Sequence, residues 1–164
     1  MADKMNLLAW MLFTCHISLV FSNELARGWG DGIAWVKLDD GLTQAKTENK
    51  PMMLIIHKSW CGACKSLKPK VEESTAIKEL SKEFVMVNTE DDEEPSDSKF
   101  TPDGGYIPRI FFLDNNGEVL NDHYNKDGNS QYKYYYYSPD HIVKSMKAVL
   151  ETLKGDNTAT NDEL

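Results

Sequence analysis

From Met52 to His57 the chain reads Met-Met-Leu-Ile-Ile-His, an almost unbroken apolar run. A run this short, with no polar alternation, predicts a strand covered on both faces. Glu83–Asn88 (Glu-Phe-Val-Met-Val-Asn) and Ile110–Leu113 have the same character, and Ile33–Leu38 predicts a short strand. Elsewhere the spacing changes. Ala63, Leu67, Val71, Ile77 and Leu80 recur at helical intervals and predict one helix over Cys61–Lys82, kinked at Pro69. Asp39 and Asp40 read as the cap of a short helix over Gly41–Asn49, which stops before Lys50-Pro51 because the residue preceding proline avoids helical dihedrals. Asp114-Asn115-Asn116-Gly117 predicts a hairpin turn with positive φ, leading into a return strand at Glu118–Leu120. Asn121–Gln131 is polar loop. Tyr132–Tyr137 predicts an extended segment whose tyrosines alternate between core and surface, a docking patch for another polypeptide being the other reading. Ser138-Pro139-Asp140 opens a final amphipathic helix through Leu153. The order β-α-β-α-β-loop-β-β-α predicts an α/β fold, a mixed central sheet with helices on both faces.

The two ends carry different signals. After Lys4, an apolar stretch from Leu7 to Phe21 closes on Val20-Phe21-Ser22. At about 15 residues it is shorter than a bilayer span, so residues 1–22 predict a cleaved signal peptide and no membrane span in the mature chain, an uncleaved anchor being the alternative. Cleavage removes Cys15 and leaves Cys61 and Cys64, an even count suited to an oxidising compartment. Residues 23–30 read as a flexible arm, 31–154 as the domain, with an acidic insert at 90–105, and 155–164 as a disordered tail. That tail ends in Asn161-Asp162-Glu163-Leu164, close to the Lys/His-Asp-Glu-Leu pattern read by the retrieval receptor of the endoplasmic reticulum. The expected location is the lumen of that compartment. The chain has 164 residues, sized for one domain, and 26 acidic against 18 basic residues give it a net charge of −8. That balance argues against nucleic acid and anionic membrane surfaces as partners. The run Glu90–Glu94 could hold Ca²⁺ loosely, but no glycine-centred twelve-residue ligand loop is present, and a solvated insert is the favoured reading.

The chemistry centres on Trp60-Cys61-Gly62-Ala63-Cys64-Lys65, placed where a buried strand passes into a helix. Cys61 falls at the helix start, where unpaired N–H groups and the helix dipole favour a thiolate. Cys64, three residues on, shares its face and is close enough for a disulfide that opens and closes without refolding. Lys58 and Lys65 flank the pair and add positive potential. Thiolate is the attacking species in disulfide exchange, so the arrangement predicts redox activity. Three rival readings are weaker. A zinc site needs a second Cys/His pair, and none of the four histidines is spaced to supply one, so no metal is expected. A structural disulfide closing so small a loop gains little chain entropy. An inert dithiol does not suit an oxidising compartment. His57 reads as a structural strand-end histidine, with tuning of proton transfer as the alternative.

The strand, the Cys-Gly-Ala-Cys motif, Pro69 and a later Gly105-Tyr106-Ile107-Pro108 before a strand together resemble the thioredoxin superfamily, over about Asp31 to Leu153. The stretch His57–Cys64, the acidic loop and Pro102–Arg109 are similar to the small endoplasmic-reticulum members grouped with the anterior gradient proteins. The resemblance implies a thioredoxin-like fold and a protein thiol–disulfide oxidoreductase. It implies that Cys61 is the exposed attacking cysteine and Cys64 the resolving one. Pro108 would be the cis-proline facing the dithiol, an ordinary trans turn proline being the alternative. Ile107 would pair through its backbone with an extended substrate, and Trp60 would be either an aromatic platform or a packing residue. Cysteine-containing client proteins and glutathione are the implied partners, with no bound cofactor. Two departures stand out. Ile55 occupies the position where thioredoxins carry a buried proton-relaying carboxylate, and Gly62-Ala63 replaces the Gly-Pro or Gly-His of better-known members. The rival function is a client-holding or adaptor module with an incidental dithiol.

Overall fold

The computed structural model describes residues 23–159; the expected signal peptide, 1–22, and the tail Asn161–Leu164 lie outside the described residues. Strands β1 (Trp35–Val36), β2 (Met52–His57), β3 (Val85–Glu90) and β4 (Arg109–Leu113) form one sheet in the order β1-β3-β2-β4. β2 pairs in parallel with β3 and antiparallel with β4, and β1 adds in parallel to β3, so the sheet is mixed. The apolar runs fill both of its faces. Met53, Ile55, Met86, Ile110 and Phe112 pack towards α2 (Gly62–Glu72), α3 (Thr75–Leu80) and α4 (Pro139–Ala159). Met52, Leu54, Ile56, Val87, Phe111 and Leu113 pack on the opposite side with Ala45 of α1 (Leu38–Glu48). The period-two side-chain alternation of a strand makes two cores from one continuous apolar string.

Several elements differ from the sequence expectation, each for a local reason. The single helix over Cys61–Lys82 is two helices. Their apolar spacing runs on across the break, but Ser74 caps α3, its Oγ accepting the Ile77 N–H at 3.2 Å. Pro69 sits inside α2. α1 begins at Leu38 with Lys37 as its N-cap, so Asp39 and Asp40 occupy the first turn, where they complement the helix dipole. The turn after β4 forms as expected, with Gly117 at φ +83° and Asp114 Oδ1 accepting the N–H groups of Asn116 and Glu118. Its return is a single bridge, Leu113 to Val119, and not a strand. Tyr132–Tyr137 is likewise no strand; Tyr134 contributes one ladder bond, its carbonyl accepting the Ile110 N–H at 2.9 Å. Tyr134 and Tyr136 are buried and Tyr137 exposed, as alternation requires, but a turn at Tyr132 leaves that ring on the surface. α4 continues to Ala159, past the Leu153 boundary read from its apolar stripe.

The segment expected to be a flexible arm is part of the core. Glu24–Ala26 forms a 3-10 turn, and Trp29 is fully buried. Its ring meets His57 edge-on at 5.2 Å between centroids. Asn88 of β3 joins arm and sheet: its Nδ2 donates to the Leu25 carbonyl at 2.6 Å, so its Oδ1 is left to accept from His57 Nε2 at 3.1 Å. Arg27 donates to the Asn88 carbonyl at 3.3 Å and pairs with Glu93. The large aromatic between Gly28 and Gly30 is the signal for this packing that a composition-based reading passes over.

His57 is therefore a structural histidine, wholly buried. Burial disfavours its charged form and pushes its pKa from 6.5 down to about 4; the Asn88 hydrogen bond and the Glu90 carboxylate oppose this, and Lys68 and Arg27 reinforce it. In the unfolded chain the imidazole takes up a proton near pH 6.5, whereas the folded one resists until near pH 4. The neutral ring thus contributes stability present above about pH 6.5 and lost as the pH falls through 4, at most ~3 kcal/mol. His57→Gln should flatten the stability profile between those limits. Urea denaturation of both proteins from pH 7 to 4 checks it, and parallel profiles would refute the assignment.

Candidate active site

β2 ends at His57, and the chain turns through Lys58–Trp60 before α2 begins. The turn closes on itself, the Cys61 N–H donating to the Lys58 carbonyl at 3.2 Å. Cys61 is the N-cap of α2, in extended dihedrals, and its Sγ accepts the Cys64 N–H at 3.0 Å. A sulfur thus does the work usually done by a Ser or Asp oxygen at this position. When the pair is reduced, that N–H and the helix N-terminus favour negative charge on Cys61.

Cys61 and Cys64 are joined as a disulfide, with Cα atoms 5.3 Å apart. Cys64 is completely buried and Cys61 is 5% exposed, so Cys61 is far less open than the expected exposed nucleophile, although it remains the more accessible of the two residues. Trp60 is 72% exposed, which sets aside the packing role. The Ile107 carbonyl oxygen lies 3.8 Å from Cys61 Sγ, and the Ile107–Pro108 peptide is cis, with Pro108 buried. Cys61, Cys64, Ile107 and Pro108 therefore come together, with Trp60 on the rim. Ile55, at the carboxylate position, is fully buried and brings no proton-carrying group.

The acidic insert is not a solvated appendage. Asp91 Oδ1 accepts the Ser59 N–H at 2.9 Å, and this hydrogen bond holds the Asp91 carboxyl below its ordinary pKa. The Asp91 carbonyl accepts Lys58 Nζ at 2.7 Å, and Lys58 also pairs with Glu94 at 2.6 Å. The other oxygen of Glu94 receives Arg109, whose side chain has no solvent exposure and whose Nη1 donates to the Tyr106 carbonyl at 2.9 Å. Burial raises the Glu94 pKa, but the hydrogen bonds from Lys58 and Arg109 outweigh it and keep the carboxyl ionised. Lys58 was expected to lend positive potential to the dithiol; Glu94 and Asp91 engage it instead, and Lys65 lies exposed on α2. Thiolate stabilisation is left mainly to the N-terminus of α2. The clamp Lys58–Glu94–Arg109 escaped the sequence reading. Its signal is a lone cation opening an apolar strand, which must find a buried partner, with carboxylates waiting upstream.

Among the described residues, no group of three or more His, Cys, Asp or Glu side chains is placed to hold a metal ion, and no helix is long and apolar enough to cross a membrane.

Comparison with known proteins agrees with this geometry. Residues 34–115 match the thioredoxin-like family model. The chain is similar to anterior gradient protein 2-B of Xenopus laevis, 40% identical over 131 residues that cover 79% of each chain. It is 35% identical to anterior gradient protein 3 of Mus musculus, over 80% of each chain, and 35% identical to the human anterior gradient protein 2 homolog, over 79% of this chain and 74% of that one. Among solved structures, a thioredoxin from Thermus thermophilus superposes with a TM-score of 0.51 at 15% identity, and a DsbH oxidoreductase with 0.50 at 17%. Each superposition covers 73% of this chain and 88% of the other, and both reflect the fold. The chain belongs to the thioredoxin-like family and, within it, to the anterior gradient group.

Proposed function

We propose that the protein is a thiol–disulfide oxidoreductase that forms and exchanges disulfides in client proteins of the endoplasmic-reticulum lumen, with glutathione as its small-molecule redox partner. The observation that carries this reading is a bonded cysteine pair at a helix start, with the sulfur of the more exposed residue, Cys61, beside the Ile107 carbonyl. In the oxidised form, a client thiolate attacks Cys61 Sγ and Cys64 leaves as a thiolate. A second client thiolate then attacks the client sulfur of the mixed disulfide and releases the Cys61 thiolate onto the N–H groups of α2. Two electrons pass from client to protein, and the client gains one disulfide. Run backwards, Cys61 attacks a client disulfide and Cys64 resolves it. The Ile107 N–H makes no hydrogen bond among the described residues and is available to align an extended client strand, and Trp60 offers an aromatic surface beside it. With Ile55 in place of a carboxylate, the Cys64 proton has to travel through the reacting thiols or water. A client-holding module with an incidental dithiol would have no use for Cys64, and its burial behind Cys61 favours the resolving role.

Three outcomes are expected. Cys64→Ser should accumulate mixed disulfides with lumenal clients while Cys61→Ser accumulates none; diagonal gels under non-reducing and reducing conditions check this, and equal trapping by the two variants, or by neither, would refute the assigned roles. Equilibration with glutathione should place the dithiol at roughly −160 to −230 mV, between thioredoxin and DsbA, since Gly62-Ala63 has neither the rigid proline of Gly-Pro nor the charge that Gly-His would supply. A value at or below about −270 mV would make the protein a reductant. Removal of Asn161–Leu164 should release the protein into the medium of expressing cells, scored by immunoblot; undiminished retention would locate the retention signal elsewhere.

A further inference from the structure

Beside the dithiol, the loop that carries Pro108 meets the tyrosine-rich segment before α4. Tyr106, Ile107, Tyr132 and Tyr135 wall an apolar pocket of about 260 Å³. The rings of Tyr132 and Tyr135 both stand edge-on to Tyr106, at 5.0 and 6.4 Å between centroids. The polar end of Tyr106 is already engaged. Its hydroxyl donates to Asp103, 2.8 Å from the nearer oxygen, and accepts the Tyr134 N–H at 3.0 Å, while Asp103 also accepts the Lys133 N–H at 2.7 Å. What Tyr106 offers the pocket is its ring. Tyr132 is 45% exposed and closes nothing in the core. Rings that large stay in water only at a cost in apolar hydration, which a matching side chain would relieve.

We infer that this pocket receives an apolar or aromatic side chain of the client polypeptide, one or two residues along from the cysteine that reacts with Cys61. The inference rests on the oxidoreductase reading and adds the substrate class to it. Three observations select this occupant. Ile107 belongs to both places: its side chain lines the pocket and its carbonyl lies 3.8 Å from Cys61 Sγ. A client strand advancing about 3.3 Å per residue past that carbonyl brings its next side chains to the pocket. The volume is below the ~300–1,000 Å³ of small-molecule sites and suits a single side chain. The surface that the walls turn to the pocket is almost wholly apolar and carries no charge, so it offers little to glutathione, which is charged and lacks a large apolar side chain. The protein would then tell unfolded protein, which exposes such side chains, from the small thiol that shares its compartment.

The test uses the oxidised mature protein and two dithiol peptides identical except for Phe or Ser on both sides of the reacting cysteine. The second-order rate of peptide oxidation should be about tenfold higher for the Phe peptide, the discrimination expected of one apolar side chain in a fitted pocket. Tyr132→Ala should bring the ratio of the two rates close to one, and Tyr132→Phe should preserve it, because the wall needs the ring and not the hydroxyl. Equal rates in the unmodified protein, or a ratio untouched by Tyr132→Ala, would overturn the subsite while leaving the oxidoreductase reading intact. If neither peptide were oxidised, the oxidoreductase reading would fall and take the subsite with it. Absence of peptide preference together with a dimer that Tyr132→Ala dissolves would assign the pocket to a second copy of the chain.

Discussion

A guanidinium sealed from water has to be answered by a carboxylate, and here the answer organises the site. Arg109 opens β4 directly after Pro108 and has no exposed surface. Leaving such a charge without its partner costs about 3–5 kcal/mol, a large part of a small domain's stability. Glu94 meets that need and at the same time takes Lys58 from the turn that leads to Cys61. One ionic chain therefore holds the acidic insert, the proline loop and the cysteine turn in a single arrangement. The two halves of the site, dithiol and Ile107-Pro108, come from elements far apart in sequence, and this chain helps keep them facing each other. The insert acts as a strut because it carries negative charge.

How much of this is legible in the amino-acid order depends on the range of the forces involved. The sheet and its two-sided burial follow from the apolar runs at Met52–His57, Val85–Val87 and Ile110–Leu113, because a covered strand needs no partner's identity to be recognised. The Cys-x-x-Cys at a strand-to-helix junction is equally local, and Cys61 and Cys64 are found where that pattern puts them. Boundaries were less legible. Ser74 starts a new helix in the middle of one apolar stripe, and a single hydroxyl carries that information. The misreadings concern long-range partners. Composition makes 90–105 a solvated insert and 23–30 a loose arm; Glu93 with Arg27, Glu94 with Arg109 and Trp29 against His57 are pairings between distant residues, which no local window contains.

The packing of Trp29 and Asn88 also changes what the N-terminal residues of the described chain contribute. They cap the end of β2 from which the cysteine turn departs, and Asn88 fixes the His57 tautomer by using its amide nitrogen on the Leu25 carbonyl. The imidazole, lying close to the dithiol in sequence, is thereby committed to holding structure in its neutral form. On the proposed function, proton traffic in the site would fall to the cysteines and the solvent around Trp60.

The sheet's two margins have a further consequence. On one side β1 is only two residues long, and on the other the Val119 bridge and the Tyr134 carbonyl already occupy parts of β4. Open strand margins recruit foreign chains and seed aggregates, and short or covered ones do not. A protein proposed to meet half-folded polypeptides faces that hazard at every encounter. Its architecture concentrates main-chain adhesiveness in the short stretch around Ile107, next to the sulfur that can let go of what it has caught.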